Sequence, residues 1–238
     1  MFPYDSVISA AVQTEPTTIP AVLGVMEKID ATCDDVDGLK WFNSLYLAVT
    51  QAVETRVNAG GFADPDWLAQ LDVQFASLYF DSITASLAGI ACPGCWDALF
   101  SVRNNTRLGR IQFALAGINA HINHDLSEAI VATCKATNTV PRHCSPHYSD
   151  YKSLNATLDG LIQQARTNLN VRLLGDPLPA ASTLENTIAA WDIAAARENA
   201  WNNAQQLWYL PAPLANGLLD SVDGLTTVIG KALLAPIP

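Results

Sequence analysis

The run Gly117-Ile-Asn-Ala-His-Ile-Asn-His-Asp-Leu126 holds two of the four histidines in the chain, beside an aspartate. Residues three and four apart are neighbours on a helix surface, so His121 and Asp125 stand one turn apart, and Glu128 extends the same side. His124 lies directly beside Asp125. A carboxylate one turn from an imidazole can fix its tautomer and raise its basicity, which makes a general acid–base pair. The same residues are half of a metal site, which His147 would complete around a divalent cation. The plainer alternative is a polar helix flank whose histidines are hydrogen-bonded inside a bundle. Three ionisable groups, with Asn119 and Asn123, packed into an otherwise apolar helix favour a site.

Other candidates are more diffuse. Asp81 interrupts the mostly apolar stretch Leu78-Tyr-Phe-Asp-Ser-Ile83. A carboxylate there must be paired or solvated, because burying it alone is costly. It would either join His121 or Asp125, or pair elsewhere with an arginine. His147 and Asp150 stand three apart at a helix start, where an acidic residue already favours the macrodipole without any site. Arg197, Trp201 and Trp208 share a helix face that would hold an anionic or aromatic ligand by stacking, or would simply be core. Cys92-Pro-Gly-Cys95 and Cys144-Ser-Pro-His147 have a zinc-like spacing, but five cysteines with the pairs far apart read better as reduced thiols. No phosphate-binding glycine loop, Gly-x-Ser-x-Gly elbow or His-Glu-x-x-His is present.

The elements that position these residues read as helices throughout. Thr18 and Pro20 open a first helix over 19–32. A second spans 38–58, and Asp64-Pro65 caps a third that runs toward 88. A short fourth covers 95–103. The fifth, over 107–137, carries the His/Asp motif, with Ile118, Ile122, Leu126 and Ile130 as its core stripe. A sixth covers 147–174. Ser182 and Glu185 form a capping box for a seventh over 183–210, and the eighth spans 214–234. The expectation is an all-α, single-domain bundle of seven or eight helices over 18–238, with 1–17 as an N-terminal extension.

The chain is half hydrophobic and 15% charged, so a large core can form. A net charge of −10 without a Lys/Arg cluster argues against nucleic acid and anionic membrane partners. The start lacks a basic, then apolar, leader and no stretch is long enough to span a bilayer, so a cytoplasmic location is expected.

The stretch Gln112-Phe-Ala-Leu-Ala-Gly-Ile-Asn-Ala-His-Ile-Asn-His-Asp-Leu126 resembles the signature of an uncharacterised bacterial and fungal group, domain-of-unknown-function family 5995. The resemblance extends to Trp41-Phe-Asn-Ser-Leu-Tyr46, Phe62-Ala-Asp-Pro65, Leu78-Tyr-Phe-Asp81 and Ala196-Arg-Glu-Asn-Ala-Trp201. It covers most of 20–235 in order and implies one domain, but it supplies no reaction.

These readings converge on a cofactor-independent enzyme of the cyclase, isomerase or lyase type, acting on a small hydrophobic metabolite. A shaped apolar pocket would hold a reactive conformer, a pericyclic ring closure being the extreme case. His121, His124, Asp125 and Asp81 would be catalytic. Tyr79, Asn119, Tyr151, Arg197, Trp201 and Trp208 would contact substrate. The alternatives are a metal-dependent hydrolase or oxygenase using His121, Asp125 and His147, and a non-catalytic binder of an apolar ligand.

Overall fold

Side-chain caps fix the starts of three long helices early in the chain. In α2 (Ile19–Thr32) the Thr18 hydroxyl accepts from the Ala21 N–H, and Pro20 occupies the first turn. In α3 (Gly38–Asn58) the Asp37 carboxylate accepts from Leu39, and in α4 (Pro65–Leu87) Asp64 accepts from Trp67. These are the starts that the sequence marks. The computed structural model describes residues 2–156, 158, 160 and 192–236, and every regular element among them is helical.

Two features differ from expectation near the N-terminus and in the middle of the chain. Within the expected extension the chain forms α1 (Asp5–Val12), which buries Ile8 and Val12 in the main core. Arg103 fastens it there, pairing with Asp5 at 2.9 Å and clamping Asp37 through Nε at 2.9 Å and a second, shorter contact. After α5 (Gly94–Phe100), the expected fifth helix divides. α6 (Arg110–Ala120) and α7 (Leu126–Ala136) are joined by a π-helical turn over His121–Asp125, where the Leu126 N–H reaches back to the His121 carbonyl. Such widened turns insert one extra residue and are concentrated at functional sites.

Next comes a helix over 146–156, here α8. Of the expected helix over 183–210, the described residues show one starting at Ile193. Asp192 is extended there and caps Ala195, giving α9 (Ile193–Tyr209). The Ser182–Glu185 capping box and the end of the sixth expected helix lie outside the described residues. α10 (Ala212–Leu233) closes the chain, tied down by Gln112, whose amide donates to the carbonyls of Leu233 and Ala235.

The fold is one all-α domain. Its buried apolar residues form two clusters, one around α1–α3, the C-terminal part of α4, α5 and α6, the other around the N-terminal part of α4, α7, α8 and α9. Leu47, Val49, Phe75 and Ile122 pack against both and make them continuous. The crossing of α3 and α6 needs two glycines. A Cβ at Gly38 would overlap the Phe113 ring, and one at Gly117 would overlap Phe42. With both absent, the backbones approach closely and Phe42 seats against Trp96 at 5.3 Å and Tyr79 at 5.0 Å, ring centre to ring centre.

Candidate active site

Asp125 is the centre of the polar cluster and is 1% exposed. Its Oδ2 lies 2.9 Å from His121 Nδ1, and its Oδ1 lies 2.8 Å from His124 Nδ1. The Trp96 indole N–H, brought in by α5, donates to both oxygens at 3.2 and 3.0 Å. Adjacent residues on an α-helix diverge by roughly 100°, and the wide π-turn is what lets both rings close on one carboxylate. An ionised carboxylate only accepts, so both histidines present Nδ1–H to it, and in the neutral ring Nε2 is the unprotonated atom. Burial pushes the Asp125 pKa up, but the hydrogen bonds and charge of the two imidazoles outweigh it and hold the carboxyl below its ordinary range.

The two histidines then differ by environment. His121 is stacked on Phe75, with ring centres 3.4 Å apart, and packs edge-on to Tyr46. Burial lowers its pKa, and the Asp125 interactions oppose this without overcoming it, so the ring is held neutral. Its Nε2 is buried and, among the described residues, has no hydrogen-bond partner. For His124 burial also acts downward, but Asp125, Glu128 and Asp223 together raise the pKa.

A cavity of about 90 Å³ opens beside His121. Its wall is mainly apolar, from Phe42, Leu71, Phe75, Ile122 and Leu154 among others. Polar groups enter at four places: Tyr46 from α3, Asp72 from α4, His121 from the π-turn and Arg197 from α9. Asp72 Oδ2, like His121 Nε2, is buried without a hydrogen-bond partner among the described residues, and the Tyr46 hydroxyl is buried beside Thr50. Burial, with the Glu54 charge nearby, raises the Asp72 pKa from 3.8 to about 7. Arg197 is held at the edge, with Nε donating to Asn155 Oδ1 at 2.7 Å and a terminal nitrogen to the Tyr151 carbonyl at 2.9 Å.

Several sequence candidates fall elsewhere. Asp81 does not join His121 or Asp125. It is exposed and lines a surface groove with Glu128 and Trp208, so Trp208 is also remote from the cavity. Asp81 and Asp72 are nine residues apart, half a turn out of phase on a helix, which puts them on opposite faces. Tyr79 is fully buried with its hydroxyl toward Asn43, and Asn119 donates to the Thr226 carbonyl at 2.9 Å; neither borders the cavity. Tyr151 lies beneath Arg197 and donates to its carbonyl, while Trp201 is core among Trp67, Tyr148 and Tyr151. Of the expected substrate contacts only Arg197 lines the cavity.

The expected metal set His121, Asp125 and His147 is not assembled. His147 Nε2 bonds Asp64 at 3.0 Å and its ring packs on Trp67, while Asp150 accepts the Ala63 and Asp64 N–H groups. Nor do the two cysteine motifs meet: Cys144 is exposed, whereas Cys95 is buried against His124 and Asp223.

A family model described as Family of unknown function (DUF5995) matches residues 19–236. The chain belongs to that family. No curated protein and no solved structure matches it. The whole His/Asp cluster and every described residue of the cavity wall fall inside the matched range, and only α1 lies outside it.

Sequence reasoning missed Trp96, Tyr46 and Asp72. Asp72 carried a readable signal: it sits four residues after Leu68 and three before Phe75, within the apolar stripe of its own helix. Nothing local marks Trp96, whose role depends on a contact across 29 residues.

Proposed function

We propose that this protein is an enzyme that moves protons on a small, largely apolar molecule without a resident cofactor, in a reaction of the isomerase, cyclase or lyase type. The observation that carries this reading is His121 Nε2. It is an unprotonated base on the wall of an apolar cavity with no partner among the described residues, and its other ring nitrogen is fixed by a buried carboxylate. Leaving that nitrogen unbonded costs about 1–3 kcal/mol, a cost that a role toward a ligand in the cavity would explain.

Asp72 supplies the complementary group. A carboxyl that titrates near neutrality can hand a proton to one end of a substrate while His121 takes one from another. The Tyr46 hydroxyl is placed to donate to developing negative charge. Binding would rest on the apolar wall, with Arg197 at the edge for a polar substituent.

The test is incubation of the purified protein with an apolar metabolite extract in D₂O, followed by mass spectrometry. Deuterium incorporation or conversion between isomers is expected with the wild type and is expected to vanish with His121→Asn and Asp72→Asn. A second arm records the imidazole ¹⁵N spectrum while indole or benzene is titrated in. Ligand shifts at His121 Nε2 with no turnover in any extract would replace the enzyme by a binder of apolar ligands. No shift and no turnover would remove the cavity from consideration altogether.

A further inference from the structure

On the far side of Asp125 from the cavity, a second group of side chains comes together from three separate elements. Cys95 at the start of α5, His124 in the π-turn and Asp223 in α10 each place one ligand-type atom within 4.8 Å of the other two. Cys95 is 1% and His124 6% exposed, and Asp223 is half-buried. Glu128, one turn beyond His124, brings Oε1 to 3.8 Å from His124 Nε2. That separation is too long for a hydrogen bond, and among the described residues Nε2 has no other partner.

We propose that Cys95, His124 and Asp223, completed by Glu128, form a zinc site. Four-coordinate zinc with bonds of about 2.0–2.3 Å sets its ligand atoms roughly 3.3–3.8 Å apart. The His124–Glu128 separation already falls in that range, and the Cys95, His124 and Asp223 atoms, all within 4.8 Å of one another, would have to draw in to reach it. Thiolate, imidazole and carboxylate are together a zinc-type donor set. The orientation of His124 fits as well. Asp125 accepts from Nδ1 at 2.8 Å, and a metal-bound imidazole characteristically gives its other N–H to a carboxylate. The charge also fits: Asp125, Asp223 and Glu128 surround a single imidazole, so a divalent cation relieves their repulsion. On binding, zinc replaces the Cys95 thiol proton, which leaves to solvent, and no electron is transferred.

The plainer role of Asp223 is already visible, since its oxygens accept the Gly94 and Cys95 N–H groups at 2.8 and 2.9 Å. Each carboxylate oxygen has two lone pairs, so this capping does not use up its capacity to bind a metal. The site would join α5, the π-turn and α10 and hold Asp125 from the side opposite His121. It does not depend on the reading of the cavity, and its test uses metal content and spectra rather than turnover.

The experiment strips the full chain with a chelator and titrates it with Co²⁺, followed by competition with Zn²⁺. One equivalent is expected, with a thiolate-to-cobalt band in the near ultraviolet. The band is expected to persist in Cys92→Ser and Cys144→Ser and to disappear in Cys95→Ser. Asp125→Asn, which removes the charge of the acceptor behind His124 while also altering the partner of His121 and Trp96, is expected to weaken binding by about 10–100-fold. Far-ultraviolet circular dichroism identifies any variant that fails to fold. Glu128→Gln at the half-exposed rim then serves instead, with a weakened cobalt affinity expected. A band retained in Cys95→Ser, or no stoichiometric Co²⁺ or Zn²⁺ binding by the wild type, overturns the proposal. So does a wild-type melting temperature that Zn²⁺ leaves unchanged, because a ligand bound only by the folded state must raise it.

Discussion

Replacing Asp72 by asparagine should stabilise this protein at alkaline pH and leave it nearly unchanged in acid. The Asp72 carboxyl is 8% exposed, one of its oxygens has no partner among the described residues, and burial, with Glu54 nearby, moves its pKa from 3.8 to about 7. Between these values the unfolded chain has released the proton and the folded chain keeps it. Folding therefore takes up a proton, and stability falls as pH rises from about 4 to about 7, then levels off. The rise in pKa corresponds to about 4 kcal/mol at 1.36 kcal/mol per pH unit. Asparagine has the same shape and no charge, so Asp72→Asn is expected to gain ~2–4 kcal/mol at pH 8 and under ~1 kcal/mol at pH 4. For a chain of this length the gain at pH 8 amounts to roughly 5–15 °C in melting temperature. Urea unfolding of both proteins at several pH values between 4 and 8.5 measures the difference directly. Other titrating groups cancel in that comparison, including His121 with its opposite sign. A difference that stays flat with pH would refute the assignment of Asp72 as a neutral acid. A confirmed gain, combined with lost turnover, would mark a residue that is retained against stability, as active-site groups often are.

Two further outcomes follow from the geometry. The ¹⁵N spectrum of His121 should show the Nδ1–H form and titrate below 6.5, because burial disfavours the imidazolium. Its contribution to stability should accordingly fall as pH drops below 6.5; a ring titrating above that value would contradict the buried-base reading. Gly117→Ala should destabilise by about 1–3 kcal/mol, because its methyl overlaps Phe42, and Phe42→Leu in the same chain should recover much of that loss. Strictly additive effects in calorimetry would argue against the close α3–α6 crossing.

The parts of this protein that the sequence determined are those governed by neighbours along the chain. Thr18, Asp37 and Asp64 satisfy N–H groups two or three residues away, so α2, α3 and α4 begin where their capping residues stand. His121 and Asp125 meet because they are one turn apart, and that pair was legible before any fold was known. α1 was not, because Ile8 and Val12 gain their burial from α2 and α4 rather than from any local signal. Only the tertiary structure decided what surrounds the pair. The close crossing at Gly38 and Gly117 and the docking of α5 set the Trp96 N–H on Asp125, and α4 turns Asp72 rather than Asp81 toward the cavity. It likewise brought Cys95 and Asp223, 128 residues apart, to His124. The physical reason is range: a cap or a one-turn pair is fixed by backbone geometry alone. A contact between distant segments depends on which helix faces pack, and that is settled by the burial of the whole chain at once.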